Sequence, residues 1–118
     1  VTGVLAVCVA AGAAIGAPAR YLTVHLVTGW GGRPSAGTLV VNVVGAFVLG
    51  LVAGARPSPW LVALVGVGFC GAFTTFSTLA LELWQDLRER RWAAVAANLA
   101  ATLGLGLGAV SLGWALTA

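Results

Sequence analysis

Gly68-Phe69-Cys70-Gly71-Ala72-Phe73-Thr74-Thr75-Phe76-Ser77-Thr78-Leu79 lies inside an apolar run, yet it gathers four hydroxyls, two glycines and three phenylalanines. If that run crosses a bilayer, the hydroxyls sit near its midplane, where lipid offers no partner and an unsatisfied polar group is costly. The cluster therefore needs partners from the protein itself or a place on an ion pathway. Two readings of its backbone are open. In a continuous helix each hydroxyl can bond back to a carbonyl one turn earlier. Alternatively, Gly68 and Gly71 mark an unwound turn whose freed carbonyls coordinate a cation, as in discontinuous transporter helices.

Working outward, composition decides the class. The chain has 118 residues, 60% of them hydrophobic and 8% charged, with a mean hydropathy of +1.04. Soluble domains carry about 25% charged residues, and so few charges cannot cover a water-facing surface. The chain reads as an all-α integral membrane protein. Its net charge of +3 comes from six arginines set against Glu82, Asp86 and Glu89. That is too small and too dispersed for a nucleic-acid footprint, so no nucleic acid is expected as a partner. The arginines fall mostly between apolar runs, as topology signals do. Cys8 and Cys70 show no metal-ligand spacing and read as small buried hydrophobes.

Four apolar runs, near 2–28, 37–55, 60–84 and 92–117, have the roughly 19 to 27 residues that a ~30 Å hydrocarbon core requires. Residues 1–118 thus form one four-helix transmembrane domain. The run Val1 to Ala19 has no basic leader and is followed by three more candidate spans, so it is read as a retained helix rather than a signal peptide. The chain contains no methionine, and an altered or trimmed natural start is expected.

Small residues at Gly12 and Gly16, and again at Gly50 and Gly54, have the spacing that lets helix backbones approach closely. Pro18 is expected to interrupt the first helix. Arg20 then falls at a depth where it either faces protein or a vestibule, or snorkels to the interface. His25 has no second ligand at helical spacing and reads as interfacial. Thr38, Asn42 and Gly45 share one face of the second helix. A membrane asparagine forms an interhelical hydrogen bond or offers a neutral donor to a passing solute. Trp60 anchors the start of the third span and Glu82 its end, at the interface rather than in a pore. Asn98 and Thr102, one turn apart, form a second small polar track. Gly104, Gly106, Gly108 and Gly113 make the end of the fourth helix closely packable.

Gly16-Ala17-Pro18-Ala19-Arg20-Tyr21, Gly37-Thr38-Leu39-Val40-Val41-Asn42-Val43-Val44-Gly45 and Gly68 to Thr78 strongly resemble the Fluc fluoride channels, also called the CrcB family. The likeness covers essentially the whole chain and its four-segment layout. It implies an antiparallel, dual-topology dimer in the cell inner (plasma) membrane, with two fluoride pores. A broken third helix would hold a structural sodium ion (Na+) at the dimer centre through the carbonyls of Gly71 and Thr74. The resemblance maps the membrane asparagine onto Asn42, the first pore phenylalanine onto Phe76, the vestibule arginine onto Arg20, and the motif hydroxyls onto Ser77 and Thr78. Thr38, on the Asn42 face, joins the same path. Two positions depart from the pattern. A second pore phenylalanine is replaced by Leu79, and the hydroxyl track of the fourth helix, often with a tyrosine, is represented by Asn98 and Thr102.

These residue types suit fluoride. The ion is small, strongly hydrated and a good hydrogen-bond acceptor, so a pore must replace its water with donors without trapping it. Asn42 offers an amide N–H, threonine and serine hydroxyls rotate to donate, and a phenylalanine edge carries the positive end of the ring quadrupole. Arg20 at a vestibule attracts an anion before it dehydrates. The alternatives are a non-conducting or half-active subunit of a heterodimeric fluoride channel, and a small dual-topology multidrug exporter. The first draws on Leu79 and on the bias of Arg33, Arg88, Arg90 and Arg91 to one side against Arg56 on the other, which favours a cytoplasmic side for the first and third loops. Homodimer and heterodimer both stay open. The exporter needs a membrane-embedded carboxylate, and only Glu82 approaches that. No nucleophile, base and orienting group converge, so no enzyme is expected.

Overall fold

The computed structural model describes residues 2–118. It is all-helical: α1 (Thr2–Gly29), α2 (Pro34–Ala55), α3 (Pro59–Leu61), a π-helical stretch (Val62–Cys70), α4 (Gly71–Phe73), α5 (Phe76–Arg88) and α6 (Trp92–Thr117). Four helical segments, Thr2–Gly29, Pro34–Ala55, Pro59–Arg88 and Trp92–Thr117, are long and apolar enough to cross a membrane. The long dimension is 49 Å, enough to reach through the headgroup regions, which bring a bilayer to about 40–45 Å.

Segment ends differ from the sequence reading for local reasons. The second span begins earlier because Pro34 occupies the first helical turn, where its missing N–H costs nothing. The third runs on to Arg88, whose guanidinium lies 5.3 Å above the Trp84 ring. The turn beyond it is closed by ion pairs from Arg91 to Asp86, at 3.2 Å, and to Glu89. Pro18 does not interrupt the first helix: α1 is continuous from Thr2 to Gly29. A transmembrane helix tolerates proline where its surroundings satisfy the freed carbonyl.

Glycines set how closely the segments approach. α1 packs chiefly on the π-helical stretch, and α2 on α6. A Cβ on Gly12 would meet the carbonyl oxygen of Leu64 and lie 2.7 Å from the Phe69 nitrogen, and one on Gly68 would lie 2.5 Å from the Val9 oxygen. Gly68 therefore serves helix contact rather than unwinding. At the other seam, Gly50 backs onto the Val110 carbonyl and Gly113 onto the Phe47 carbonyl. Thr117 adds a hydrogen bond to the Leu51 carbonyl at 2.9 Å. A Cβ on Gly104, Gly106 or Gly108 would meet nothing within 4 Å, so of the α6 glycines Gly113 is the one whose missing side chain permits a close approach.

The interior is small. Val41, Ala63, Cys70 and Phe73 are its buried apolar side chains, whereas Leu103, Leu105, Leu107, Leu112 and Leu116 of α6 point outward. Apolar surface of that extent is incompatible with a water-facing exterior and fits hydrocarbon or a partner. Trp30, Trp60 and Trp92 are exposed near helix ends, the depth at which aromatic belts form.

Candidate functional site

The helical path of the third span stops at Phe73. Thr74 (φ −85°, ψ 161°) and Thr75 (φ −146°, ψ 119°) are extended, and α5 starts at Phe76. Extended backbone inside a membrane segment must find partners for its N–H and C=O groups. Here they come from two other helices. The Asn42 side-chain amide pairs with Thr75 twice: Thr75 N–H donates to Oδ1 at 2.8 Å, and Nδ2 donates to the Thr75 carbonyl at 3.1 Å. Arg20 Nη1 donates to the Thr74 carbonyl at 3.3 Å. Thr74 keeps its own links to the preceding turn, through N–H (3.0 Å) and Oγ1 (2.8 Å), both to the Cys70 carbonyl.

Thr75 is the hub of the cluster. Its hydroxyl accepts from Thr78 N–H at 3.2 Å and so caps α5; it also donates to Thr78 Oγ1 at 3.1 Å and lies 3.3 Å from Ser77 Oγ. Such a cap satisfies one of the orphan donors of a helix start and is worth ~1 kcal/mol. The sequence reading counted Thr75 among the four hydroxyls but gave it no role of its own in the site. The usable signal was a hydroxyl three residues ahead of Thr78 at the start of a new helical run, the spacing of an N-cap.

The face of α2 that carries Thr38, Asn42 and Gly45 lies entirely against the third span. Gly45 backs onto the Thr74 methyl group, where a Cβ would collide. Thr38, 2% exposed, donates to Glu82 Oε2 at 2.7 Å. The other oxygen of that carboxylate, Oε1, is buried with no hydrogen-bond partner. Glu82, read as interfacial, thus turns inward against α2. It borders a polar cavity of about 360 Å³ near the charged end, lined also by Arg33, Ser35 and Arg91.

A larger groove of about 520 Å³ is lined by Asn42, Gly71, Thr74, Thr75, Phe76, Leu79 and Thr102 among others. Phe76 projects into the open, 82% exposed, and Leu79 stands one turn on along the same helix. Phe73 does not reach it, being buried and stacked on Phe69 with ring centroids 5.3 Å apart. Thr102 Oγ1 is tied to Asn98 Oδ1 at 3.1 Å. The groove therefore unites Asn42, Gly71, Thr74, Phe76, Leu79 and Thr102. Thr38, Arg20, Ser77, Thr78 and Asn98 lie outside its lining.

Residues 7–114 match the family model described as "CrcB-like protein, Camphor Resistance (CrcB)". The chain belongs to the CrcB family. This CrcB chain is 46% identical over 110 residues to Fluoride-specific ion channel FluC 1 of Geobacillus kaustophilus, covering 90% of this chain and 91% of the relative. It is 45% identical over 109 residues to Fluoride-specific ion channel FluC 2 of Rhodococcus jostii, covering 92% and 95%. Likeness extends to Fluoride-specific ion channel FluC of Thermococcus onnurineus, 37% identical over 120 residues, covering 97% and 96%. These relatives are named as ion channels, not enzymes, and the four long apolar helices accord with a multi-pass membrane protein.

Proposed function

We propose that this chain forms a fluoride-selective channel of the inner (plasma) membrane that lets the ion leave the cell passively. The observation that carries the reading is the extended Thr74–Thr75 pair, held by side chains from two other helices beside the exposed Phe76 ring. The interruption creates two electrostatic ends in mid-membrane. The helix ending at Phe73 presents carbonyls, the negative pole of its dipole, and the start of α5 presents N–H groups, the positive pole that favours an anion. Thr78 N–H is taken by the Thr75 cap. The Phe76 edge, the Ser77 and Thr78 hydroxyls and the second Nδ2 hydrogen of Asn42 are neutral donors for a dehydrating anion. Neutral donors replace hydration without a full charge that would hold the ion.

A structural Na+ fits the donors on the other side of the break. Thr75 N–H, which in a continuous helix would serve the Gly71 carbonyl, is given to Asn42, and Gly71 lines the open groove. The carbonyls of Gly71 and Thr74 are hard oxygen donors suited to such a cation, the Thr74 oxygen through the lone pair that its hydrogen bond from Arg20 leaves over, and a bound Na+ would add fixed positive potential beside the anion path. Two carbonyls from one chain are few, so the reading includes a second, antiparallel copy or homologue that covers the groove and supplies the rest.

The test is release of fluoride from liposomes holding the purified chain alone, with chloride as control. Fluoride should leave and chloride should stay. Efflux without that selectivity ends the channel reading. Leu79, lining the groove beside Phe76 where the family pattern has an aromatic ring, favours a second reading: a half-active subunit that needs a different partner. Arg33, Arg88, Arg90 and Arg91 at one end against Arg56 at the other point the same way. Leu79→Phe should raise homomeric efflux about two- to tenfold, the range an added aromatic contact supplies. An unchanged rate would remove Leu79 as the reason for the second reading.

A further inference from the structure

We propose that Arg20 is the positioning residue of the interrupted span: its guanidinium holds the Thr74 carbonyl and thereby fixes where the start of α5 points. The inference rests on the channel reading only for its transport arm. Arg20 and Thr74 are 54 residues apart in sequence, and the contact, Nη1 to O at 3.3 Å, ties α1 directly to the first extended residue. Arg20 is half-buried. Among the described residues it has no carboxylate within ion-pair distance, so Thr74 is its defined protein partner. A half-buried guanidinium needs an acceptor. The C-terminal pole of the helix ending at Phe73, where carbonyls lack their usual donors, is where a cation is most favourable.

The geometry separates this role from simple attraction of anions. Asn42 holds Thr75 from the α2 side and Arg20 holds Thr74 from the α1 side. Together they fix both extended residues. Phe76 and the Thr75 cap follow immediately in the chain, so their positions depend on that pair. A residue acting only through its field would set how readily fluoride reaches the pore. One acting through the Thr74 carbonyl sets how well the pore is formed.

The experiment compares the full chain with Arg20→Gln and Arg20→Lys in liposomes. It reads efflux against fluoride concentration and, separately, backbone amide exchange by mass spectrometry. Arg20→Gln should lower the maximal fluoride rate about tenfold with half-saturating fluoride unchanged, the size of one charge-assisted hydrogen bond. It should also speed exchange across residues 74–79 about tenfold while peptides of α6 keep their protection. Arg20→Lys, which keeps the charge but loses the planar fork, should restore both only in part. If Arg20→Gln does not yield monodisperse protein, Arg20→Lys carries the same comparison. Exchange at 74–79 unchanged by both variants overturns the proposal, as does full rescue by lysine with a shift confined to half-saturating fluoride. If the unmodified chain alone moves no fluoride, the homomeric channel reading fails, the subunit reading stands, and the exchange measurement still decides the role of Arg20.

Discussion

Asn42→Asp is expected to abolish fluoride efflux although it changes one atom type and almost no volume. In the native arrangement the amide answers both backbone groups of Thr75, accepting through Oδ1 at 2.8 Å and donating through Nδ2 at 3.1 Å. Aspartate retains the acceptor, loses the donor, and sets a carboxylate oxygen against the Thr75 carbonyl. Thr75 is buried; a hydrogen bond lost at a buried group costs about 1–3 kcal/mol, before any repulsion between the two oxygens. The carboxylate also places a negative charge on the proposed anion path. Asn42→Ala removes both bonds without adding charge and should cost about 2–6 kcal/mol, enough to reduce efflux more than about twentyfold at ~1.4 kcal/mol per tenfold. Efflux rates of reconstituted variants matched for protein content give the measurement. An aspartate variant keeping even a tenth of the native rate would mean that the amide–Thr75 pairing is not what forms the path.

This pairing shows where sequence reading ends. Four spans were legible because apolar runs and arginine-bearing turns are one-dimensional signals, and Asn42 stood out because an amide in hydrocarbon requires a partner. Which partner could not be read: whether the amide faces a solute or a backbone 33 residues away depends on how α2 and the third span lie against each other. Thr75 was obscured by its neighbours, since four hydroxyls in five positions have equal local claims to cap a helix and only the placement of the extended pair selects one. Gly68 misled for the opposite reason. A glycine near a polar cluster suggests a loosened backbone, but this one is small so that α1 can approach, which is a property of Val9 and Gly12 as much as of Gly68. Leu79 was legible only through family resemblance; its chemistry is ordinary, and its place on the groove beside Phe76 gives it meaning.

Gly12→Val should have the largest effect on the folded chain itself. At this position the obstacle is main chain: a Cβ would run into the Leu64 carbonyl oxygen and come within 2.7 Å of the Phe69 nitrogen and 3.0 Å of the Leu64 carbonyl carbon. Main chain within a helical segment cannot swing aside as a side-chain tip can, so α1 as a whole must move away from the π-helical stretch. That displacement would carry Gly16, where a Cβ would lie 2.5 Å from the Phe69 carbonyl oxygen, and Arg20 beyond it. Overpacking typically costs 1–3 kcal/mol, and a collision with main chain places Gly12→Val at or above about 3 kcal/mol. The control is Gly3→Ala on the same helix, where nothing lies within 4 Å; it should be neutral or stabilising by up to about 1 kcal/mol, as expected for glycine replaced at a compatible helical site. Unfolding in mixed detergent micelles, followed by tryptophan fluorescence, separates the two. A Gly12→Val chain as stable as the Gly3→Ala control would show that α1 does not depend on this contact, and the link from the α1 glycines through Arg20 to the Thr74 carbonyl would lose its support.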